Sequence, residues 1–391
     1  MRKIFLLATF LPALAGPLSL AQSPDSLLAT VLEHNRVLEA SRKAYQVSLS
    51  EARTGVMPPD PEVEFGYLFS NPAENGNRTD VRVTQQVDFP TSYIYRSRLG
   101  KIKSAEAELE YIRTRQEIIQ KAKQLWITRI YLNQLEKLLR ERIELAVRIN
   151  EQFHEKLVTG EAGLLAYSHS NLQLAALQNE YEKLQAEIGS NQISLIEITG
   201  GIEVVVPDTQ FPPPTVISLD SISEAYEASP GRQLMRSDLS KSIAMKKLAV
   251  SRNLPKLSGG YYSESVIDQQ FRGFHLGFSI PLWENTNRIK QAALAVQYTE
   301  AEADRFAIAQ ESRVKDLSGQ VKSLDTRIRN MEDALNAVAE PDLLLLAFES
   351  GEISLTEYFF ASDFYFRNQQ LLLEYRRDRL LKEAELLKVF Y

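Results

Sequence analysis

The chain has 391 residues and a formal net charge of −6, with charged side chains making up 25% of the sequence. This acidic balance does not favour nucleic acid as a partner, because domains that bind nucleic acid present a basic face. The chain has no cysteine, which excludes disulfides, thiolate metal sites and cysteine nucleophiles.

Residues 1–21 are typical of a secretory signal peptide. Arg2 and Lys3 precede an apolar run over 4–14, and small residues flank Leu20 at the expected cleavage site. A buried N-terminal helix is the alternative, but two prolines and a glycine within the segment disfavour it. No later apolar run approaches the roughly 18 residues of a membrane helix. We therefore expect that any contact with a bilayer is made through strands.

Residues 22–206 form a first repeat that opens with a helix and a pair of strands. The helix is expected over about 25–55, and the prolines at 58, 59 and 61 end it. Two segments over about 62–89 then alternate between apolar and polar residues. Val63, Phe65 and Tyr67 lie on one side of the first segment. A period of two residues predicts strands with one apolar and one polar face.

The rest of the first repeat predicts two long helices. Proline is absent between Thr91 and Val206. Apolar residues recur every seven positions at Tyr111, Ile118, Leu125, Leu132, Leu139, Ala146 and Phe153. This heptad pattern predicts a coiled-coil seam along a helix of some 65 residues, which reaches on the order of 100 Å. A return helix is expected over about 164–199, ended by the glycines at 200 and 201.

A proline-rich connector over 207–219 leads into a second repeat over 220–391 with the same order of elements. Phe89-Pro90 recurs as Ile280-Pro281, and Thr159-Gly160-Glu161 recurs as Ser350-Gly351-Glu352, each 191 positions later. A helix is expected over about 220–252 and strands over about 256–280. Unlike the first repeat, the second has Pro341, which should interrupt or kink its long helix.

The apolar strand faces keep the same phase in the two repeats, and we expect them to contact lipid. They consist of Val81, Val83, Val87, Phe89, Phe274, Leu276, Phe278 and Ile280. His275 lies on the opposite, polar face, which we expect to line a lumen. Two surface hairpins on a soluble core remain the alternative.

Four strands cannot close a barrel, because closure needs about eight or more. An open sheet with an apolar outer face would leave unpaired edges in lipid. The chain must then share strands with copies of itself, and three copies would give twelve. This argument supports oligomerisation more strongly than it supports the number three.

Over almost its whole length after the signal peptide, the chain resembles the TolC-type outer-membrane efflux proteins. The resemblance rests on the duplicated strand–strand–long-helix order, the proline after each hairpin, and the segments 157–164 and 348–355 around the two glycine turns. It implies a mostly α fold with a small β part: a trimeric 12-stranded outer-membrane β-barrel continuous with a periplasmic α-helical coiled-coil barrel. The turn at 351–358 is similar to the heavy-metal members, the CzcC- and CusC-like proteins.

The resemblance further implies a passive exit duct of a tripartite pump in the outer membrane of a Gram-negative bacterium, with a large periplasmic part. The implied partners are two further copies of the chain, a periplasmic adaptor, an inner-membrane pump of the resistance-nodulation-division class and outer-membrane lipid. The residues implied for adaptor docking at the periplasmic tip are Thr159, Gly160, Glu161, Leu164, Ser350, Gly351, Glu352 and Leu355.

The resemblance also implies an acidic gate near the tip. Glu357 lies six residues beyond the second glycine turn, where similar proteins place an aspartate, and Asp363 lies further along the same helix. Three copies of a carboxylate would attract cations and repel one another. A solvated surface carboxylate is the alternative reading of Glu357.

An enzyme is disfavoured because the sequence has no phosphate loop, nucleophile elbow or histidine–carboxylate helix motif. We predict no catalytic residue and no cofactor. We predict no metal site either, because the four histidines lie far apart. A type I secretion channel and a periplasmic coiled-coil adaptor remain alternatives, although an adaptor would not show two equal repeats.

Overall fold

The computed structural model describes residues 24–72, 76–207, 210–215, 218–267, 269–283, 286–337 and 341–391. The expected signal peptide therefore lies outside the described residues. So do short stretches of the first hairpin loop and of the proline-rich connector.

The described residues form two runs of helix, helix, strand, strand and long helices. The first run consists of α1 (Pro24–His34), α2 (Arg36–Glu51), β1 (Glu62–Leu68), β2 (Arg78–Val87), α3 (Pro90–Val158) and α4 (Leu164–Ile198). The second consists of α5 (Leu219–Glu227), α6 (Pro230–Ser251), β3 (Lys256–Val266), β4 (Gln269–Ser279), α7 (Arg288–Asn336), α8 (Pro341–Glu349) and α9 (Leu355–Leu386), with a 3-10 turn at Lys388–Phe390. The duplicated order expected from the sequence is confirmed.

The single helix expected at the start of each repeat is wrong, because each is broken into two. In the first repeat the break falls at Asn35, whose side-chain amide donates a 2.7 Å hydrogen bond to the carbonyl of Ile198. In the second, the Ser229 hydroxyl accepts from the backbone N–H of Arg232, so Ser229 caps α6 ahead of Pro230. Serine at the cap and proline in the first turn start a new helix without loss of backbone hydrogen bonds.

A third helix break falls where Pro341 predicts it. Helix α7 ends at Asn336 and α8 begins at Pro341, whereas the matching part of the first repeat is the unbroken α3. Proline at the first position of a helix lacks only an N–H that would have no partner within the helix. The predicted interruption is confirmed. Because of it, the helix that leads to the second glycine turn is broken, whereas the helix that leads to the first is continuous.

The four strands form one antiparallel sheet in the order β1-β2-β3-β4. The central pair joins the two repeats, with Val83 of β2 opposite Tyr261 of β3. Strands β1 and β4 are the two edges, and each has one unpaired side within the described chain.

Helices α3 and α4 form the predicted coiled coil. The heptad residues Leu132, Leu139 and Ala146 of α3 are buried against Leu177 and Leu184 of α4. Helix α4 has a matching heptad that was not predicted from the sequence, whose buried members are Ser170, Leu177, Leu184, Asn191 and Ile198. Two of these are polar and hydrogen bonded to α3, through the Asn150 side chain and the Leu125 carbonyl.

The chain divides into two compact units. Unit 1 contains the described residues of Met1–Asn35, Ile119–Pro214 and Val321–Ala384, and unit 2 contains those of Arg36–Ile118, Thr215–Gln320 and Glu385–Tyr391. Both glycine turns therefore belong to unit 1, and the whole sheet belongs to unit 2. Each unit draws on both repeats.

Candidate functional site

The two glycine turns have the same backbone structure. Gly160 has φ +78° and Gly351 has φ +79°, the left-handed conformation that glycine adopts without steric cost. After each glycine, the next two N–H groups donate to one helix carbonyl, that of Lys156 in the first turn and that of Ala347 in the second. This pattern ends α3 and α8 by a left-handed glycine cap.

Both turns present their polar residues to solvent. Of the eight predicted docking residues, seven are exposed: Thr159, Gly160, Glu161, Leu164, Ser350, Gly351 and Glu352. The eighth, Leu355, is half-buried, although the equivalent Leu164 is 67% exposed. The first turn therefore offers an apolar side chain that the second does not.

The difference between the two leucines follows from an apolar cluster beneath the turns. Its buried members are Ile149, Phe153 and Tyr358, and Leu355 and Phe348 pack against them. The rings of Phe153 and Phe348 stack with centroids 6.1 Å apart, and that of Phe348 lies 5.2 Å from that of Tyr358. These contacts pack the helices of the two hairpins together within unit 1.

The carboxylate of Glu357 closes a capping box at the start of α9. It accepts hydrogen bonds of 2.8 Å from both the backbone N–H and the hydroxyl of Ser354, and that hydroxyl in turn accepts from the Glu357 N–H. The bonds from Ser354 favour the ionised carboxyl, so the pKa of Glu357 lies below its ordinary value. Glu357 remains exposed and charged at neutral pH, and it also stabilises the helix.

Asp363 is paired with two arginines and is not isolated. Its carboxylate lies 3.0 Å from the guanidinium of Arg142 on α3 and 3.0 Å from that of Arg367 on α9. Arg142 is only 8% exposed and lies over the ring of Phe366, 5.1 Å from its centroid. Arg142 was not predicted from the sequence, because its partner is 221 residues away and no local pattern marks the pair.

The predicted lipid face is one apolar surface across the whole sheet. The strand register aligns Val63, Val83, Tyr261 and Phe274 in one row. On β4 the side chains are open to solvent, with Leu276 92% exposed. Val81, Val83, Val87, Phe274, Leu276 and Phe278 lie in the strands, whereas Phe89 and Ile280 lie just beyond the ends of β2 and β4. The alternation expected from the sequence is confirmed.

The opposite face of the sheet carries paired polar groups. Arg78 and Glu264 form an ion pair of 3.0 Å, and His275 lies 3.3 Å from the hydroxyl of Thr84 on the neighbouring repeat. An amphipathic sheet of this kind can separate an apolar medium from water.

Within the described ranges, no group of three or more histidine, aspartate or glutamate side chains could hold a metal ion. None of the described helices combines the length and the apolar character needed to cross a membrane.

Comparison with known proteins shows the fold. No protein-family model matches the chain, and no curated protein matches it in sequence. Several solved structures are similar in fold to this chain over most of their own length. CusC, whose structures concern folding and transmembrane channel formation, is 16% identical with a TM-score of 0.77, covering 94% of this chain and 91% of CusC. The chain has the TolC-type fold.

Two other solved structures are similar to the same degree. The CmeC outer membrane channel of Campylobacter jejuni is 15% identical with a TM-score of 0.74, covering 94% of this chain and 85% of CmeC. The outer membrane protein VceC of Vibrio cholerae is 13% identical with a TM-score of 0.77, covering 94% of this chain and 95% of VceC. The mostly α fold with a small β part, predicted from the sequence, is confirmed.

Proposed function

We propose that this TolC-type chain is one protomer of an outer-membrane channel that serves as the passive exit duct of a tripartite efflux pump. The amphipathic sheet with two unpaired edges is the observation that carries the proposal. Its apolar face has no partner in the described chain, and a strand edge in lipid must be paired. Three copies, joined edge to edge, would form a closed barrel of twelve strands whose polar faces line the lumen.

The structural neighbours support this role. CusC and CmeC are both described as channels, and each is similar in fold over 94% of this chain. A duct needs no reaction chemistry. The chain is accordingly proposed to act in the outer membrane without catalysis, with the sheet in lipid and the helices in the periplasm.

Docking of a periplasmic adaptor is proposed at the two glycine turns. Glycine without a Cβ lets a partner backbone approach closely, and both turns are exposed in unit 1. The exposed Leu164 gives the first turn an apolar contact that the half-buried Leu355 cannot make. An inner-membrane pump of the resistance-nodulation-division class would supply the energy.

The exposed Glu357 is the proposed gate residue. It is ionised at neutral pH, and three copies around one axis would form a ring of negative charge. Asp363 already has two arginine partners, so its proposed contribution is to fix α9 against α3 through Arg142. The ring would favour cations.

Heavy-metal cations are the proposed cargo. The turn at 351–358 is similar to the heavy-metal members of the family, CusC is among the similar structures, and an acidic gate suits cations. Deleting the gene should sensitise the host to copper, zinc or cadmium salts more than to uncharged drugs. Sensitivity to drugs with unchanged metal tolerance would contradict this cargo.

Conductance across a planar lipid bilayer tests the channel. The purified protein should insert and give discrete current steps. Leu276→Arg places a charge on the lipid face, which costs about 2–4 kcal/mol near the middle of a bilayer, and should sharply reduce insertion. Gly273→Arg is the matched control, because Gly273 lies on the polar face with nothing within 4 Å of a built Cβ. Equal loss in both variants, or no current steps from the unmodified protein, would contradict the proposal.

A further inference from the structure

A groove in unit 2 lies at the end of the helices that run into the sheet. It has a volume of about 440 Å³ and is formed by α3, α6 and the first turns of α7. Its floor includes Ile243, Val250, Leu254 and Val296. Leu254 is two residues before the start of β3, so the groove lies directly at the base of the sheet. Its volume is in the range of sites that bind small molecules.

Two lysines give the groove a positive rim. Lys246 and Lys247 both line it and both are exposed. They share one face of α6 with Ile243 and Val250, because residues three, four and seven positions apart lie on the same side of a helix. Among the ion pairs of the described residues, neither lysine has a carboxylate partner. By contrast Lys241, one turn earlier, is paired with Glu106 and Asp238.

A second copy of the chain is a poor occupant for this groove. In unit 2, α2 packs on α3, where a Cβ on Gly100 would meet the carbonyl of Ala52. Helix α3 packs on α6 through the hydroxyls of Ser92 and Ser251, 2.8 Å apart. Helix α6 packs on α7 at Gly231. The groove is formed by α3, α6 and α7 of this layer, whereas the unpaired strand edges, at which we propose that copies join, belong to β1 and β4.

Exposed apolar side chains lie close to the groove in the sheet, because Leu257, three residues after Leu254, is paired with Phe278 of β4. Phe278 is 73% exposed, and Trp283, just past the end of β4, is 82% exposed. Tryptophan is enriched where lipid headgroups meet the hydrocarbon region. A basic rim over an apolar floor, next to such a band, is complementary to an amphiphile with a negatively charged head.

We propose that the groove binds an anionic phospholipid, with Lys246 and Lys247 contacting its phosphate and the apolar floor holding part of an acyl chain. The proposal rests on the proposed membrane location of the sheet. The groove would then prefer anionic lipid headgroups to zwitterionic ones, a preference that an apolar surface without the two lysines would not have.

The test is lipid retention by the full protein. The purified oligomer is incubated with vesicles of phosphatidylcholine and phosphatidylglycerol that carry identical acyl chains, re-isolated in detergent, and its bound lipid measured by native mass spectrometry. We expect phosphatidylglycerol to be retained in preference to phosphatidylcholine. Lys246→Gln/Lys247→Gln should lower that preference on the order of tenfold. Lys121→Gln/Lys322→Gln is the control, because both lysines are exposed and lie in unit 1.

Val296→Trp tests the apolar floor, because it fills the groove and leaves both lysines in place. It should reduce retention of phosphatidylglycerol. Equal retention of the two lipids, or an unchanged preference in the double lysine variant, would overturn the proposal. So would full displacement of phosphatidylglycerol by inorganic phosphate, which would indicate a plain phosphate site. Any of these results with normal bilayer conductance would refute the lipid site alone and leave the channel proposal standing.

Discussion

At the scale of single residues, several charged side chains near the glycine turns combine structural and proposed functional roles. Glu357 caps α9 and carries the charge proposed for the gate. Asp363 neutralises the buried Arg142. The family resemblance marks both carboxylates, since Glu357 lies six residues beyond the second glycine turn and Asp363 lies further along the same helix. It does not mark Arg142, because burial of a single arginine depends on packing between distant helices.

The helix-capping role and the proposed gate role of Glu357 can be tested separately. Glutamine can still accept the hydrogen bonds of Ser354, so Glu357→Gln should keep the cap and remove the charge. We expect it to lower cation selectivity in single-channel recordings. Ser354→Ala is the complementary variant, which should cost about 1 kcal/mol of helix stability and leave selectivity unchanged. The gate role fails if Glu357→Gln conducts with the selectivity of the unmodified protein.

The capping box should also depend on pH. Because the folded-state pKa of Glu357 is lowered by the Ser354 donors, its stabilising contribution is complete above the ordinary glutamate pKa. That contribution is lost as the pH falls through the lowered folded-state value. Hydrogen exchange of the amides at the start of α9 should therefore accelerate relative to mid-helix amides at acidic pH, and much less so in Glu357→Gln. Identical pH profiles in the two proteins would contradict this.

The ion pair of Arg142 should be sensitive to the loss of its partly buried partner. Asp363→Ala leaves the guanidinium of Arg142, 8% exposed, without a carboxylate. An uncompensated charge of this kind should cost about 1–3 kcal/mol. Arg367→Ala removes an exposed partner of the same carboxylate and should change stability by less than about 1 kcal/mol. Denaturant unfolding compares the two, and equal effects would refute the special role of Arg142.

At the scale of helices and strands, the sequence predicts regular patterns well and interruptions less well. The strand alternation, the heptad of α3 and the break at Pro341 all follow from local residue types. The breaks at Asn35 and before Pro230 were missed. The first depends on a hydrogen bond to Ile198, 163 residues away, which no local pattern contains. The second has a local signal in Ser229-Pro230. The helical periodicity on both sides of it, however, predicts one continuous helix.

The two glycine turns offer a direct test of backbone conformation. At Gly160 and Gly351 nothing lies within 4 Å of a built Cβ, so alanine would be opposed by the positive φ alone. Each of Gly160→Ala and Gly351→Ala should cost about 1–2 kcal/mol, seen as faster hydrogen exchange in the turn. Gly189→Ala is the control, because Gly189 lies within α4 with equal space around it and no positive φ. It should change exchange little, and equal acceleration in all three variants would contradict the strain argument.

At the scale of the whole molecule, the unpaired strand edges support the proposed assembly of several copies of the chain. An apolar face with residues such as Phe274 at 90% exposure and two open edges is unstable in water and incomplete in lipid. The sequence predicts this need through its four strands per chain. It does not supply the number of copies, since the strand count alone permits more than one closed barrel.

The most direct test is the native mass and form of the purified protein in detergent. Size-exclusion chromatography with light scattering should give three times the mass of one chain, and negative-stain images should show a hollow tube. A compact monomer would contradict the account, because its sheet would then have no strands to share.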